Sequence, residues 1–131
     1  MAKKLVVALP LVLLLSLLAA CKVQSAPTAA VGGNTVVMGA TTYTSGNSIT
    51  IKKGDTITFQ DDKNTGSTHI LVIGENGTAK SEAGAPDFGA NGTTFNPGDS
   101  KPIGPWMNTG TFHVTCTIHP TTMNLTVTVT A

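Results

Sequence analysis

The chain has 131 residues, a formal net charge of +1 and only 11% charged residues, so its length suffices for one small domain after any targeting segment. Its few lysines form no basic patch that could neutralise phosphates, which excludes nucleic acid as an expected partner. The sequence shows no paired carboxylates, no nucleophile with a base and no phosphate-binding glycine loop, and we therefore do not expect an enzyme.

The N-terminus resembles a bacterial lipoprotein signal. Two lysines precede an apolar run over residues 5–18, and small residues follow before Cys21. The resemblance implies that residues 1–20 are removed and that Cys21 is lipidated, so that the protein is exported and anchored to a membrane, facing the periplasm or the cell exterior. An uncleaved transmembrane anchor is the alternative, although the run is shorter than the roughly 20 apolar residues that a spanning helix needs.

Residues 22–34 are rich in Ala, Gly, Pro, Ser, Thr and Gln, a composition that predicts a flexible tether. The predicted organisation is a signal at 1–20, a lipidated cysteine with its tether at 21–34, and one domain at 35–131. Without the signal the chain keeps six lysines, no arginine and seven acidic residues, so its formal charge becomes −1. The slight basicity of the whole sequence therefore does not describe the mature domain.

The remaining residues alternate apolar and polar side chains in short runs that predict β-strands. Turn-forming clusters of Gly, Asn, Asp and Pro separate these runs, which lie at 35–43, 48–51, 55–60, 67–73, 109–116 and 124–130. No segment has a convincing 3.6-residue helical period. Many short strands rich in Thr, Val and Ile predict an all-β domain, an antiparallel Greek-key β-sandwich or barrel. Residues 74–105 are less regular and are predicted to hold loops, a hairpin turn at 74–77 and one or two short strands.

Three residues with metal-binding side chains lie within eight positions near the C-terminus: Cys116, His119 and Met123. Alternation along the preceding predicted strand turns Cys116 towards the interior, and alternation along 67–73 does the same for His69. A thiolate, an imidazole and a thioether form a soft ligand set that suits copper, and His69 would complete a trigonal plane with a weak axial methionine.

These residues and three further segments resemble the cupredoxin family of type 1 (blue) copper proteins, which includes plastocyanin, pseudoazurin, amicyanin and the halocyanins. The resemblance covers roughly residues 35 to 131, and the further segments are 48–59, 95–100 and 110–116. It implies that the first histidine ligand comes from an early strand and that the other ligands come from the last loop. The implied ligands of one copper ion are His69, Cys116, His119 and Met123.

The chain departs from this family in two places. Three residues separate His119 from Met123, whereas plastocyanin-like members have four and amicyanin-like members two, so the resemblance leaves the axial distance open. Ile70 follows the first histidine, where members often carry an asparagine that ties the two ligand loops together. That link must be absent or must come from another residue.

Each ligand has a simpler alternative interpretation. His69 alone would be a satisfied core histidine, Cys116 a small buried hydrophobe and Met123 a packing residue. Met38 and Met107 are poorer axial candidates than Met123. His113 faces away from Cys116 on the same predicted strand, so we interpret it as a surface residue, with a role in metal uptake or partner contact as the alternative.

Zinc is the chief rival to copper, but structural zinc sites prefer four Cys or His ligands and catalytic sites keep an open position, so a methionine fits neither. After lipidation of Cys21, Cys116 is the only thiol, which excludes an internal disulfide and the two bridging cysteines of a binuclear copper centre. A lone thiol in an exported domain calls for an explanation, and metal ligation supplies one.

The predicted function is the transfer of single electrons by one copper ion. We expect a monomer that meets redox proteins of a membrane electron-transport chain transiently. The resemblance implies that electrons pass through His119, with Pro120 at the rim of the contact surface. The lipid and the tether would raise the effective concentration near such partners. Two alternatives stay open: a copper carrier or storage lipoprotein without electron transfer, and a metal-free adhesion-type sandwich.

Overall fold

A computed structural model of the chain describes residues 34–131, which contain nine strands and no helix. The predicted signal and nearly all of the predicted tether, including Cys21, lie outside the described residues. Within the described part of the chain, no helix has the length and apolar character that a membrane crossing needs. The strands are β1 (Thr35–Met38), β2 (Ser48–Lys52), β3 (Ile57–Asp61), β4 (His69–Glu75), β5 (Thr78–Ala79), β6 (Thr93–Phe95), β7 (Ser100–Ile103), β8 (Gly110–Cys116) and β9 (Asn124–Thr130).

The strands form two sheets. The smaller has the order β1-β3-β7, and the larger has the order β2-β9-β8-β4, with β5 and β6 both paired to β4. Two neighbouring pairs, β1 with β3 and β2 with β9, are parallel, and the other pairs are antiparallel. The predicted all-β sandwich is therefore confirmed, and its sheets are mixed, because these two pairs are parallel rather than antiparallel.

The parallel pairs arise because the chain leaves each sheet before it returns. β2 lies in the larger sheet between β1 and β3 in sequence, so β1 and β3 meet through a crossover rather than a hairpin. The alternation of apolar and polar residues records which face of a strand is buried. It carries no information on the direction of the neighbouring strand, so the sequence could not distinguish the two cases.

The hydrophobic core lies between the sheets and follows the predicted alternation. In β9, Leu125, Val127 and Val129 are buried while the intervening threonines are partly exposed. Trp106 is fully buried and its indole N–H donates to the carbonyl of Ile103 at 3.2 Å. Because each buried large apolar side chain stabilises by about 1.5–3 kcal/mol, this core holds the ends of β4 and β8 in fixed relative positions.

Strand β4 departs from simple alternation, since Val72 is buried and Ile73 is only partly buried. The reason is the segment 80–92, which packs on the outer face of β4: a Cβ at Gly92 would lie 2.7 Å from Val72 Cγ1. The predicted hairpin turn is present between β4 and β5, with positive φ at Asn76 (52°) and Gly77 (75°). Residues 74–105 contain three short strands, β5 to β7, rather than one or two.

Candidate metal centre

His69 opens strand β4 and is fully buried. Its Nε2–H donates to the carbonyl of Gly39 at 2.9 Å, and because a carbonyl only accepts, the proton of the neutral ring is on Nε2. Burial lowers the pKa of His69, more than the Gly39 hydrogen bond raises it. The ring is therefore neutral near physiological pH, with the Nδ1 lone pair free to bind a metal ion.

Cys116 ends strand β8, opposite Leu71 of β4, which places its buried thiol beside His69. Residues 117–123, here called the ligand loop, then return the chain to β9. The loop closes on itself, since the Cys116 N–H donates to Met123 O and the Met123 N–H donates to His119 O, both at 3.0 Å. The three-residue gap between His119 and Met123 thus forms a compact turn that holds His119 next to Cys116.

The three predicted strong ligands come together. His69 Nδ1 lies 3.2 Å from His119 Nδ1, and Cys116 Sγ lies 3.8 Å from His69 Nδ1 and 3.7 Å from His119 Nδ1. Nitrogen at about 2.0 Å and sulfur at about 2.3 Å from one ion, spread evenly in a plane, are about 3.5 to 3.8 Å apart. The observed separations are close to this pattern, so the three atoms fit a trigonal metal ion.

Electrostatics favour the neutral, metal-binding form of both imidazoles. The pKa of His119 is lowered first by burial and then by the neighbouring His69. Soft thiolate and imidazole donors in this number and geometry are typical of type 1 copper rather than of structural zinc, which takes four donors of this kind. Among residues 34–131, His69, Cys116 and His119 are the one group of three His, Cys, Asp or Glu side chains that converges in this way.

Met123 is fully buried in the same core cluster as Cys116, at the end of the ligand loop. Its assignment as the axial ligand stays a prediction. Met38 is also fully buried, so burial does not separate the two candidates, and the position of Met123 in the ligand loop remains the argument for it. Met107 is 52% exposed, which does not suit an axial ligand of a metal ion held by the buried side chains of His69 and Cys116.

The ligand loop is tied to its surroundings by side chains other than the one at position 70. The Thr122 hydroxyl donates to Thr41 O, in the loop that also supplies the acceptor for His69. The Asn124 amide donates to Pro120 O at 2.9 Å and accepts from the Asn76 N–H at 2.7 Å. These bonds join the ligand loop to two neighbouring segments, so the link that Ile70 cannot provide is supplied elsewhere.

Sequence reasoning missed two buried polar groups beside the site. The Asp61 carboxylate is 1% exposed, lacks a hydrogen-bond partner and lies 3.7 Å from His69 Nε2. Burial, followed by the nearby charges of Asp99 and Asp62, raises the pKa of Asp61 to about 6. The Tyr43 hydroxyl is also buried without a partner, and burial, with a smaller contribution from Cys116, raises the pKa of Tyr43.

A sequence signal for Asp61 existed. Ile57, Phe59 and Asp61 alternate on the inward face of β3, but the predicted strand ended at residue 60, one position too early. His113 behaves differently from the three donors. It is partly exposed, as predicted, and its ring lies between Glu82, 2.8 Å from Nδ1, and Glu75, 3.5 Å from Nε2.

No protein-family model and no curated protein matches this chain. Solved structures with a similar fold include a reduced amicyanin mutant, with 19% identity over 76% of this chain and 83% of that chain and a TM-score of 0.56. They also include a purple cupredoxin from Nitrosopumilus maritimus, with 22% identity over 73% and 98% and a TM-score of 0.54. An amicyanin from Paracoccus versutus is 21% identical over 73% and 79%, with a TM-score of 0.53. Residues 34–131 therefore have the cupredoxin fold, and the donors that this fold brings together fit one type 1 copper ion.

Proposed function

We propose that the protein is a mononuclear type 1 copper protein, anchored to a membrane, that transfers single electrons between redox partners. The observation that carries the proposal is the convergence of two imidazoles, whose pKa values are lowered by burial, and one thiol within 3.2 to 3.8 Å of one another, inside a sandwich with the cupredoxin fold. When bound, copper would supply a one-electron couple between Cu(I) and Cu(II).

The chain's own residues would keep the ligand geometry the same in both oxidation states. Gly39 O fixes the orientation of His69, and the hydrogen bonds between Cys116, His119 and Met123 fix the shape of the ligand loop. Both ends of this arrangement rest on a close-packed core that deforms little. Restricted ligand movement lowers the reorganisation energy of each electron transfer.

His119 is the proposed route for electrons to and from a partner. It is the one member of the donor trio that is partly exposed, since His69 and Cys116 are fully buried. Ile118, 45% exposed, and the exposed Pro120 flank it and would provide apolar contact area. A small contact of this kind suits brief encounters with redox proteins of a membrane electron-transport chain.

An electron carrier fits this site better than an enzyme. The three donors face one another in the interior, and with Met123 as the fourth ligand no position would remain for a substrate. A groove of about 400 Å³ lies between β4 and residues 79–90, and none of the three donors lines it. This groove is therefore separate from the site that would hold the ion.

Copper titration of the purified full chain tests the proposal. We expect one copper ion per protein, an intense visible band from the bond between the Cys116 thiolate and Cu(II), and a reversible one-electron wave in voltammetry. Zinc should bind with the same stoichiometry but without colour. Absence of the visible band would overturn the proposal, and a colourless site that passes Cu(I) rapidly to a chelator would instead favour the copper-carrier alternative.

Membrane anchoring rests on the sequence of residues 1–21 and is tested separately. We expect Cys21→Ser to move the exported protein from the membrane fraction to the soluble fraction, because the lipid would be lost. Its visible spectrum should not change, since Cys116 is the thiol among the described residues. Unchanged membrane association of the exported variant would contradict the lipoprotein assignment and leave the copper proposal intact.

A further inference from the structure

The Asp61 carboxylate is an unusual group for this domain. It ends strand β3, points inward at 1% exposure and has no hydrogen-bond partner for either oxygen. Moving a carboxylate out of water costs several kcal/mol unless charges or hydrogen bonds compensate. Buried polar groups without partners are rare, and each one requires an explanation.

The surroundings of Asp61 do not compensate its charge. Among residues 34–131, His69 is the one basic side chain within 4.0 Å of the carboxylate, at 3.7 Å, and this ring already donates its N–H to Gly39 O. The other charged groups that act on Asp61 are the carboxylates of Asp99 and Asp62. The negative charge of Asp61 therefore lies beside Nε2 of His69, the ring nitrogen that does not face the other donors.

The backbone holds the carboxylate in this position. The Asp61 N–H donates to Asp99 O at 2.8 Å, and the Asp61 carbonyl accepts from the Gly98 N–H at 3.1 Å. Gly66 packs directly on the side chain, because a Cβ there would lie 2.0 Å from Asp61 Oδ1. The side chain therefore fits this space only because position 66 carries no side chain.

We propose that Asp61 is a positioning residue of the metal centre, which acts through His69 and whose negative charge stabilises Cu(II) relative to Cu(I). The inference rests on the proposed function. The hydrogen bond that orients His69 comes from Gly39 O, so the distinct contribution of Asp61 is its charge. Carboxylates behind metal-bound histidines raise the basicity of the ligand, and a buried charge is screened much less than an exposed one.

The test compares copper-loaded full-chain variants at pH 8 by voltammetry. Asp61→Asn removes the charge and keeps the shape, and Asp61→Ala removes both. We expect both variants to have a higher reduction potential than wild type and about 10–100-fold weaker Cu(II) affinity, while Cu(I) affinity changes less. The matched control is Glu75→Gln, which removes one charge from an exposed position on β4 and should leave the potential unchanged.

The unfolding temperature of the metal-free proteins separates this role from a structural one. If Asp61 serves the metal, its buried charge destabilises the metal-free fold, so we expect Asp61→Asn to unfold at a higher temperature than wild type. A potential equal to that of wild type in both Asp61 variants would overturn the inference while the proposed function stands. A wild-type protein without the visible copper band would overturn both.

Discussion

Two histidines six residues apart, His113 within β8 and His119 just after it, have opposite environments. The Nδ1 atom of His119 faces a neutral imidazole at 3.2 Å and a thiol at 3.7 Å. Both ring nitrogens of His113 face carboxylates, Glu82 at 2.8 Å and Glu75 at 3.5 Å.

The comparison shows that neighbours, and not the residue type, decide what an imidazole can do. A ring among nitrogen and sulfur donors keeps its lone pair and can bind a soft metal ion. A ring whose two nitrogens both face carboxylates, as in His113, is held by surface contacts and directs no free lone pair at other metal-binding donors. Mutations at the two positions should therefore have different consequences, the first for copper and the second for folding.

The largest effect should come from replacing Cys116, the thiol that lies beside His119. Replacing Cys116 with Ser removes the thiolate, so we expect the intense visible band to disappear and the copper-induced rise in unfolding temperature to shrink, since stabilisation depends on how tightly the folded state binds the ion. Absorption spectra and thermal unfolding with and without copper measure both. A Cys116→Ser protein that stays intensely coloured would remove Cys116 from the site.

Alanine substitutions at the two histidines test the comparison directly. Loss of a residue that only contacts a ligand typically weakens metal binding by about 10–100-fold. His119→Ala should weaken Cu(II) binding by more than this, because a direct ligand is lost. His113→Ala should leave the copper spectrum and affinity unchanged and should lower the free energy of unfolding by about 1 kcal/mol or less. Competitive titration with a copper chelator measures the affinities. Equal affinity losses in the two variants would show that the environments are not functionally distinct.

The sandwich fold and the three donor residues could be predicted from the sequence. Apolar alternation located β9 and β8, and the spacing around Cys116 marked the ligand loop. The sequence did not predict that Glu82 and Glu75 would enclose His113, because Glu75 fell in the predicted hairpin turn rather than at the end of β4, and Glu82 lies in the region without regular periodicity. It also missed Asp61, since one residue at a strand end decides whether a carboxylate faces the core or the solvent.

The axial position should have an intermediate effect, on potential rather than on occupancy. If Met123 is the weak axial ligand, Met123→Leu keeps the three strong donors and should raise the reduction potential, because fewer donors stabilise Cu(II). Met123→Gln should lower it, since an amide oxygen is a harder donor. Voltammetry of the three proteins decides the question. Equal potentials would show that Met123 only packs the loop.

The smallest effect should come from the acidic partners of His113. Glu82 accepts from the backbone N–H and from Nδ1 of His113, both at 2.8 Å, and its side chain is only 18% exposed. Glu82→Gln removes the charge and leaves one acceptor oxygen, so we expect a loss of about 1 kcal/mol in the free energy of unfolding of the metal-free protein. Glu75→Gln is the control, because Glu75 is 52% exposed and 3.5 Å from the ring, and it should change stability by less than about 0.5 kcal/mol.

Salt separates the charge of Glu82 from its hydrogen bonds. Urea unfolding at low salt and at about 1 M salt should show a smaller Glu82→Gln effect at high salt, where the Debye length falls to about 3 Å. The hydrogen-bonded part of the effect should persist, because glutamine leaves one oxygen for the two His113 nitrogens that Glu82 contacts in either condition. The copper spectrum should be the same in all these proteins. A shifted visible band in Glu82→Gln would mean that the His113 cluster is coupled to the metal centre along β8, and the two environments would then act as one.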